Sequence, residues 1–398
     1  MTDLRRRRMR AGNLLAVIVS LSISLPLGEG LLRLFVNPID LLVPDVLPDA
    51  ERSLRIRPYS AGHDARGYRN AFVPARADIV AVGDSQTYCV STSAESSWPR
   101  VLGRRLGRVV YNMAVPGYNP VDYWSLVDEE VFAFSPSAIV VALYYGNDLR
   151  EAFRSVYGKD HWRALRRPEF SRPEILRTEA QAAGAPVVPL RFMGGIRRWF
   201  SMHSVFYRVV TGQIRRLLPP GWATEPGLVG KAVVFTDGEH GISTLLTPTH
   251  RLGVIDLGDP KVEEGLRITL DMFHRMHARA SAQGVPMLAV LIPTKESVLW
   301  PYAGPHTELS GSQELAALIV AEQRVDTRVR DAFARDALPY VSLLGPLQEA
   351  AGREEVYPFT DGHPNAQGCE VIASAIQVRL AEMGIGPEAT MSAPGAAR

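Results

Sequence analysis

Short apolar runs alternate with helical patterns through most of the chain. Each apolar run lacks a polar face and predicts a strand buried on both sides; the runs lie at residues 77–85, 108–115, 138–148, 285–293 and 338–344. Apolar residues at helical spacing predict the helices between and after them, at residues 98–106, 121–134, 261–283, 312–334 and 365–383. Buried strands separated by helices indicate an α/β fold with a mainly parallel sheet of five strands.

This alternation breaks between about residues 150 and 260. The stretch carries prolines, arginines and scattered aromatics, with weak helical periodicity at residues 197–218 and strand-like pieces at 231–235 and 251–257. Because a structureless loop of this length is improbable inside a compact domain, we expect a structured insertion. The predicted fold is therefore a flavodoxin-like, doubly wound domain over residues 77–383 that contains this insertion.

The N-terminal segment, residues 1–32, has the pattern of a membrane anchor. A cluster of five arginines precedes residues 11–27, which carry no charge. About 17 residues is the lower limit for a helix that spans a bilayer, and the basic flank predicts a cytoplasmic N-terminus. A cleaved signal peptide is the alternative, but no A-x-A cleavage site follows and apolar character resumes after Gly30. With an anchor or with a signal peptide, we expect the rest of the chain to lie outside the cytoplasm. An uncleaved anchor makes the chain a single-pass membrane protein.

The flanking segments differ from the core in composition. Residues 33–76 are rich in Pro, Asp and Arg without periodicity and predict a juxtamembrane linker, whereas the small, polar residues 384–398 predict a disordered tail. The chain of 398 residues is 46% hydrophobic, which suffices for a substantial core. Its net charge of +2 owes much to the N-terminal arginines, and no recurring aromatic and basic pattern indicates a nucleic-acid partner.

Polar motifs follow the apolar runs at the predicted strand ends. They are Ser85 after the first run, Gly117 and Asn119 after the second, Asn147 and Asp148 after the third, and Asp361 with His363 before the last helix. In a doubly wound sheet the ligand crevice forms at the carboxyl ends of the strands. We therefore expect these motifs to converge at one edge.

The converging residue types are those of a serine acyl-transfer site. A serine hydroxyl is a weak nucleophile until a base takes its proton, and a third group must orient that base. Ser85 is the candidate nucleophile, His363 the base and Asp361 the orienting carboxylate. Backbone N–H groups of Ser85 and Gly117, with the side-chain amide of Asn147, are candidate oxyanion donors.

The ordered blocks "GDSQT", "GYNP", "YGND" and "DGHPN" resemble the four motifs of the SGNH or GDSL hydrolase superfamily. By this resemblance, Ser85 matches the nucleophile, Gly117 and Asn147 the oxyanion donors, and His363 the base. It covers roughly residues 77–149 and 284–383 and leaves the insertion out.

Two positions depart from the family pattern. Gln86 stands where the GDSL name has leucine, and Thr360 stands three residues before the histidine, where the family often has Asp. Asp361 is two residues before the histidine, as also occurs in anchored members associated with polysaccharide modification. We therefore expect Asp361, and not residue 360, to orient His363, and this role needs its own test.

The resemblance implies a membrane-anchored serine esterase that cleaves O-acyl esters, chiefly O-acetyl groups on carbohydrate, through an acyl-serine intermediate. Such members work without a cofactor and with a membrane-bound acyl-transfer partner protein. The alternatives are a polysaccharide O-acyltransferase that uses the same site, and a non-catalytic module that binds glycan or serves as a scaffold. Because an unperturbed imidazole has a pKa near 6.5, activity should fall as the pH drops.

Other candidate chemistry is limited. His274 and His277 lie three residues apart on a predicted helix, but no third ligand follows at a recognisable spacing, so we predict no metal site. The two cysteines, Cys89 and Cys369, follow the nucleophile and the base by four and six residues. Free cysteines are commonly small buried side chains; the alternative is a disulfide that clamps the two catalytic elements.

Overall fold

A computed structural model describes residues 2–183, 194–217, 232–306 and 311–387. Its strands are β1 (Val46–Leu47), β2 (Arg55–Ile56), β3 (Ile79–Val82), β4 (Val110–Asn112), β5 (Ala138–Tyr144), β6 (Val233–Asp237), β7 (Ile242–Leu246), β8 (Met287–Ile292) and β9 (Tyr340–Ser342). Its helices are α1 (Thr2–Phe35), α2 (Pro38–Leu41), α3 (Ser85–Tyr88), α4 (Trp98–Leu106), α5 (Pro120–Glu129), α6 (Asp148–Gly158), α7 (Pro173–Ala183), α8 (Gly194–His203), α9 (Val205–Leu217), α10 (Pro248–Ile255), α11 (Pro260–Ala282), α12 (Lys295–Ala303), α13 (Ser312–Arg335), α14 (Leu344–Ala351) and α15 (Ala366–Glu382).

The central sheet has the order β4-β3-β5-β8-β9, and all its strands are parallel. These are the five predicted strands, and the order is that of a flavodoxin-like, doubly wound sheet. The sheet places the ends of β4 and β5 on either side of the end of β3. The predicted fold class is confirmed.

Helices cover both faces of this sheet, which explains why its strands have no polar face. In β3, Val80 and Val82 pack toward the core that includes α5, α6, α11 and α13. The alternate residues Ile79 and Ala81 pack toward the core that includes α4, α12, α14 and α15. Because successive side chains point to opposite faces, a strand in this position needs apolar residues throughout.

Within the insertion, one predicted strand is a helix. Residues 251–257 were expected to be strand-like, but most of them lie in α10, which starts with Pro248 at a position where proline favours a helix. Leu252 packs against the core and Ile255 is buried, three residues apart on one side of the helix. Before α10, β6 and β7 form an antiparallel hairpin. Leu245 of β7 donates a backbone hydrogen bond of 2.8 Å to the carbonyl of Phe359, next to the histidine motif.

The segment before the domain packs against it through an antiparallel pair, β1 and β2, and a buried arginine. Arg52 is 2% exposed and forms ion pairs with Glu129 and Glu130 at the end of α5. In the predicted tail, residues 388–398 lie outside the described residues.

A helix near the N-terminus, over Leu15–Phe35, is long and apolar enough to cross a membrane. Its mean hydropathy is 1.9, and no residue of its most apolar stretch is buried. A signal sequence has the same properties. Glu29 in this helix accepts hydrogen bonds from the backbone N–H groups of Val205 and Phe206 at the start of α9, at 3.0 and 2.9 Å. The C-terminal part of α1 is therefore joined to the insertion.

Candidate active site

Ser85 begins α3, and a turn of two residues separates it from the end of β3. Asp84 caps this helix, because its Oδ1 accepts a hydrogen bond of 2.9 Å from the backbone N–H of Gln86. Gly83 is needed for the tight turn, since a Cβ there would lie 2.2 Å from Oγ1 of Thr87. Ser85 is thus not the cap of the helix; the residue is partly exposed, and its hydroxyl lies 3.3 Å from Asp84 Oδ2.

The hydroxyl of Ser85 lies in a line of hydrogen bonds with His363 and Asp361. His363 Nε2 is 2.8 Å from Ser85 Oγ, and His363 Nδ1 is 2.6 Å from Asp361 Oδ1. Because a carboxylate can only accept, Nδ1 carries the proton and Nε2 accepts from the serine. This is the arrangement that prepares a serine for nucleophilic attack. The structure brings together the three residues predicted as nucleophile, base and orienting group.

Asp361 is held by contacts on both carboxylate oxygens. Oδ1 also accepts from the backbone N–H of His363 at 3.1 Å, and Oδ2 accepts from the hydroxyl of Ser91. Burial alone would raise the pKa of Asp361, but the hydrogen bond and charge of His363, with the Ser91 hydrogen bond, lower it to about 2. Asp361 therefore stays ionised beside the imidazole at neutral pH.

Lys295 supports the loop that carries Asp361 and His363. Its side chain is buried, and Nζ donates to the carbonyls of Pro358, Phe359 and Asp361 at 3.1, 3.2 and 3.0 Å. Burial lowers the pKa of this amine to about 8. Lys295 is a positioning residue, because its donors are directed at main-chain carbonyls of this loop.

The candidate oxyanion donors lie at the same sheet edge. Gly117 is exposed in the loop after β4 and has a φ of +89°, which favours glycine, and Asn147 follows β5. The side chain of Asn147 makes no hydrogen bond to a described residue, and its Oδ1 is buried without a partner. The strands that carry Gly117 and Asn147 flank the strand of Ser85, and the roles of these two residues as oxyanion donors stay a prediction.

Two neighbouring polar residues have structural partners instead. Asn119 caps α5 and hydrogen-bonds to Asp122 at 2.7 Å. Asp148 is fully buried and accepts from the backbone N–H of Tyr144 at 2.9 Å and from the hydroxyl of Tyr123. These contacts keep the loops after β4 and β5 in place.

Both cysteines are free and buried, with their sulfur atoms 3.4 Å apart. Cys89 ends α3 in the left-handed conformation, with a φ of 62°, and Cys369 lies in α15. Two free, buried side chains are the first of the two interpretations given above, and the pair lies between the helix of Ser85 and the helix that follows His363. The disulfide stays the untested alternative.

No three His, Cys, Asp or Glu side chains converge as metal ligands within the described ranges. His274, one of the two histidines considered for a metal, has its Nδ1 3.1 Å from Asp336 Oδ2.

A cavity of about 290 Å³ lies beside Val115 and Tyr118, on either side of Gly117, and contacts neither Ser85 nor His363. We therefore define the candidate site by its hydrogen bonds and not by this cavity.

The sequence contains no indication of Ser91 or Arg251 as site residues. It does place Lys295 near this sheet edge, after the fourth predicted strand, and favours a solvated loop lysine over a contact with an anionic substrate; the buried side chain of Lys295 shows that this interpretation was wrong. Ser91 lies six residues after Ser85 with no motif around it, and Lys295 belongs to a helix start that resembles many others. Arg251 belongs to the insertion, yet its Nη1 donates to the carbonyl of Gly146 at 3.1 Å. None of the three belongs to a recognisable motif, because each acts through contacts between distant parts of the chain.

No family model and no curated protein matches this chain. Several solved structures are weakly similar to this chain over most of its length. An extracellular lipase from Streptomyces rimosus is 12% identical, covering 75% of this chain and 99% of that one, with a TM-score of 0.36. A GDSL-like lipase from Bacteroides thetaiotaomicron is 10% identical, with coverages of 77% and 88% and a TM-score of 0.36. An acetyl xylan esterase from Butyrivibrio proteoclasticus is 11% identical, with coverages of 79% and 66% and a TM-score of 0.32.

These identities and TM-scores are low, so the similarity to lipases and esterases does not by itself assign an activity to this chain. The features that matter are its own. They are the strand order of the central sheet, the four ordered motifs at its carboxyl edge and the contacts of Ser85, His363 and Asp361. These features agree with the resemblance to the SGNH/GDSL superfamily that the motifs indicate.

Proposed function

We propose that this chain is a serine hydrolase that cleaves O-acyl esters through an acyl-serine intermediate. The observation that carries the proposal is the hydrogen-bonded line from Ser85 through His363 to Asp361, at 2.8 and 2.6 Å. These distances lie within the reach required for proton transfer. Asp361 orients the imidazole and stabilises the imidazolium that forms during the reaction.

The reaction proceeds in two halves. In the first, Ser85 Oγ forms a bond to the ester carbonyl carbon while its proton passes to His363 Nε2. When the tetrahedral intermediate collapses, the bond to the alcohol breaks, and His363 returns the proton to the departing alcohol oxygen. In the second half, water attacks the acyl-serine, His363 takes the proton of the water, and Ser85 regains a proton as the acid leaves.

The carbonyl oxygen becomes negatively charged in each half-reaction and needs donors that are already in place. We assign this role to the backbone N–H groups of Ser85 and Gly117 and to the side-chain amide of Asn147. The position of β3 between β4 and β5 supports the assignment. The free side chain of Asn147 also supports it, because no described residue competes for its amide protons.

The substrate class that we propose is an O-acetyl ester on carbohydrate. It is supported by the likeness of the "DGHPN" block to anchored members of the superfamily that modify polysaccharides, and by the apolar N-terminal helix. We place the N-terminus in the cytoplasm and the hydrolase domain outside the membrane, where envelope polysaccharide and a membrane-bound acyl-transfer partner would be reached.

Product analysis tests this proposal. The full chain in detergent is incubated with an acetylated methyl glucoside, with and without an unacetylated sugar as acceptor, beside Ser85→Ala. We expect free acetate in both reactions and none above background with Ser85→Ala. Acetyl groups found mainly on the acceptor sugar would replace the hydrolase by an O-acyltransferase. Absence of both products from folded protein on this and on other acetylated sugars would contradict the proposal.

A further inference from the structure

Arg251 extends from the insertion to the loops that carry the candidate catalytic groups. Its Nη1 donates a hydrogen bond of 3.1 Å to the carbonyl of Gly146, the residue before Asn147. On the other side, a Cβ on Gly362 would lie 3.0 Å from Nη2, and Gly362 stands between Asp361 and His363. The guanidinium therefore lies between the Asn147 loop and the His363 loop, and the glycine at position 362 leaves room for it.

The backbone around Arg251 is fixed from two sides. The N–H of Arg251 donates to the carbonyl of Thr247 at 3.1 Å, and Thr247 is itself held by Glu296 Oε1 at 2.7 Å from its N–H and 3.2 Å from its hydroxyl. Leu245 is bonded to Phe359 in the histidine loop. Hydrogen bonds therefore hold the segment that carries Arg251 against α12 and against the His363 loop.

The charge of Arg251 is not neutralised by a salt bridge. Four arginines in the described ranges have a buried Nε without a hydrogen-bond partner, namely Arg69, Arg154, Arg251 and Arg330. Three of them form ion pairs, with Asp40, Glu151 and Asp326. Arg251 has no such pair; its Nη2 makes no hydrogen bond to a described residue, and the ring of Tyr144 lies 5.6 Å away.

Burial alone would lower the pKa of Arg251, but the negative groups around it raise the pKa, so the guanidinium stays charged. None of those groups forms an ion pair with it, and within the described ranges Nη2 remains free to donate to an anion. The charges of Glu296, Asp361 and Asp84 act on Arg251 from the same region, and Lys295 is committed to three carbonyls. These surrounding carboxylates disfavour a dianion such as a phosphate monoester. A single carboxylate suits one guanidinium better.

We propose that Arg251 binds a carboxylate on the substrate, close to the scissile ester, and so selects acidic O-acyl esters over neutral ones. The carboxylate belongs either to the sugar, as in a uronic acid, or to the acyl group, as in a succinyl ester. This inference rests on the proposed hydrolase function, and it adds to that function the charge of the substrate.

The test compares matched esters with the full chain in detergent. The substrates are an O-acetyl methyl glucuronoside, the corresponding O-acetyl methyl glucoside, and the O-succinyl methyl glucoside. For the unmodified protein we expect a kcat/KM at least tenfold higher for one of the two acidic esters than for the neutral one. Arg251→Met should reduce this ratio by about tenfold or more, Arg251→Lys should restore part of it, and the exposed control Arg275→Met should leave the ratio unchanged.

The outcomes separate this inference from the proposed function. Preference for the glucuronoside places the carboxylate on the sugar, and preference for the succinyl ester places it on the acyl group. If Arg251→Met lowers kcat/KM for all three esters by the same factor, Arg251 only positions the loops and the inference is wrong. If Ser85 is labelled by a fluorophosphonate but the unmodified protein does not prefer either acidic ester, the inference also fails while the hydrolase stands. If Ser85 is not labelled and none of the three esters is cleaved, the proposed hydrolase function itself is contradicted.

Discussion

Because Asp361 stands two residues before His363, one oxygen of its carboxylate can accept two hydrogen bonds from that histidine. Asp361 Oδ1 accepts from both the backbone N–H and the imidazole Nδ1 of His363, at 3.1 and 2.6 Å. The turn of the backbone therefore sets the position of the carboxylate relative to the ring. An Asp three residues before the histidine is not required for this contact, and Thr360 in that position is exposed.

The substitution Asp361→Asn tests this local arrangement. The asparagine amide can donate to Nδ1, which favours the imidazole tautomer that carries its proton on Nε2 and cannot accept from Ser85. We expect kcat for a chromogenic acetate ester to fall by about 10³- to 10⁴-fold, as expected for loss of the correct tautomer. Ser91→Ala, which keeps the carboxylate, is the matched control and should cost about tenfold or less. A folded Asp361→Asn variant with most of its activity would show that Asp361 does not orient the base.

At the scale of elements, the start of α12 is joined to α13 through a buried acid. Glu322 of α13 accepts from the backbone N–H of Thr294 at 3.0 Å and from its hydroxyl at 2.5 Å, and Thr294 caps α12. Burial, together with the charge of Glu296, raises the pKa of Glu322 from 4.5 to about 7, although the Thr294 and Ser297 hydrogen bonds oppose the shift.

This raised pKa makes the free energy of unfolding depend on pH. Between pH 4.5 and about 7 the folded state binds more protons at Glu322 than the unfolded state, so its contribution to stability decreases as the pH rises through this window. Glu322→Gln removes the charge. We expect the variant to melt about 3 °C or more above the unmodified protein at pH 8, with a smaller difference at pH 5. Thermal unfolding followed by circular dichroism measures both values, and equal differences at the two pH values would contradict the account.

The two cysteines give a second prediction about elements. In an oxidising compartment, thiol–disulfide exchange with an oxidant disulfide would join Cys89 to Cys369, with two protons and two electrons leaving the thiols. Because both thiols are buried, we expect the bond to form before the core closes. Protein secreted to such a compartment should yield a linked peptide pair on non-reducing digestion. Alkylation of both thiols after denaturation without reductant would show that they stay free.

At the scale of the whole molecule, the sheet and the hydrogen-bonded line of Ser85, His363 and Asp361 could be predicted because their signals are local. A strand such as β5, buried on all seven residues, needs an unbroken apolar run, and the motif residues stand within a few positions of a strand end. The helix at 98–106 has the predicted bounds because Pro99 and Gly107 mark its ends. These features depend on neighbours in sequence.

The rest depends on contacts between parts of the chain that are far apart in sequence. The strand-like pattern at residues 251–257 did not reveal α10, because Val254 and Ile255 favour strands when the preceding Pro248 is ignored. Arg251 and Lys295 belong to the site because Arg251 donates to the Gly146 carbonyl of the loop after β5 and Lys295 donates to carbonyls of the histidine loop. No periodicity records such contacts, since a single long side chain makes each of them.

Covalent labelling of Ser85 tests the central claim most directly. The full chain in detergent is treated with a fluorophosphonate at pH 8, digested and analysed by mass spectrometry, beside Ser85→Ala and the matched control Ser91→Ala. We predict one modified serine, Ser85, in the unmodified protein and in Ser91→Ala, and no modification in Ser85→Ala. A folded protein that carries no label at Ser85, or carries it equally in Ser85→Ala, would contradict an activated serine nucleophile and favour a module that binds glycan without cleaving it.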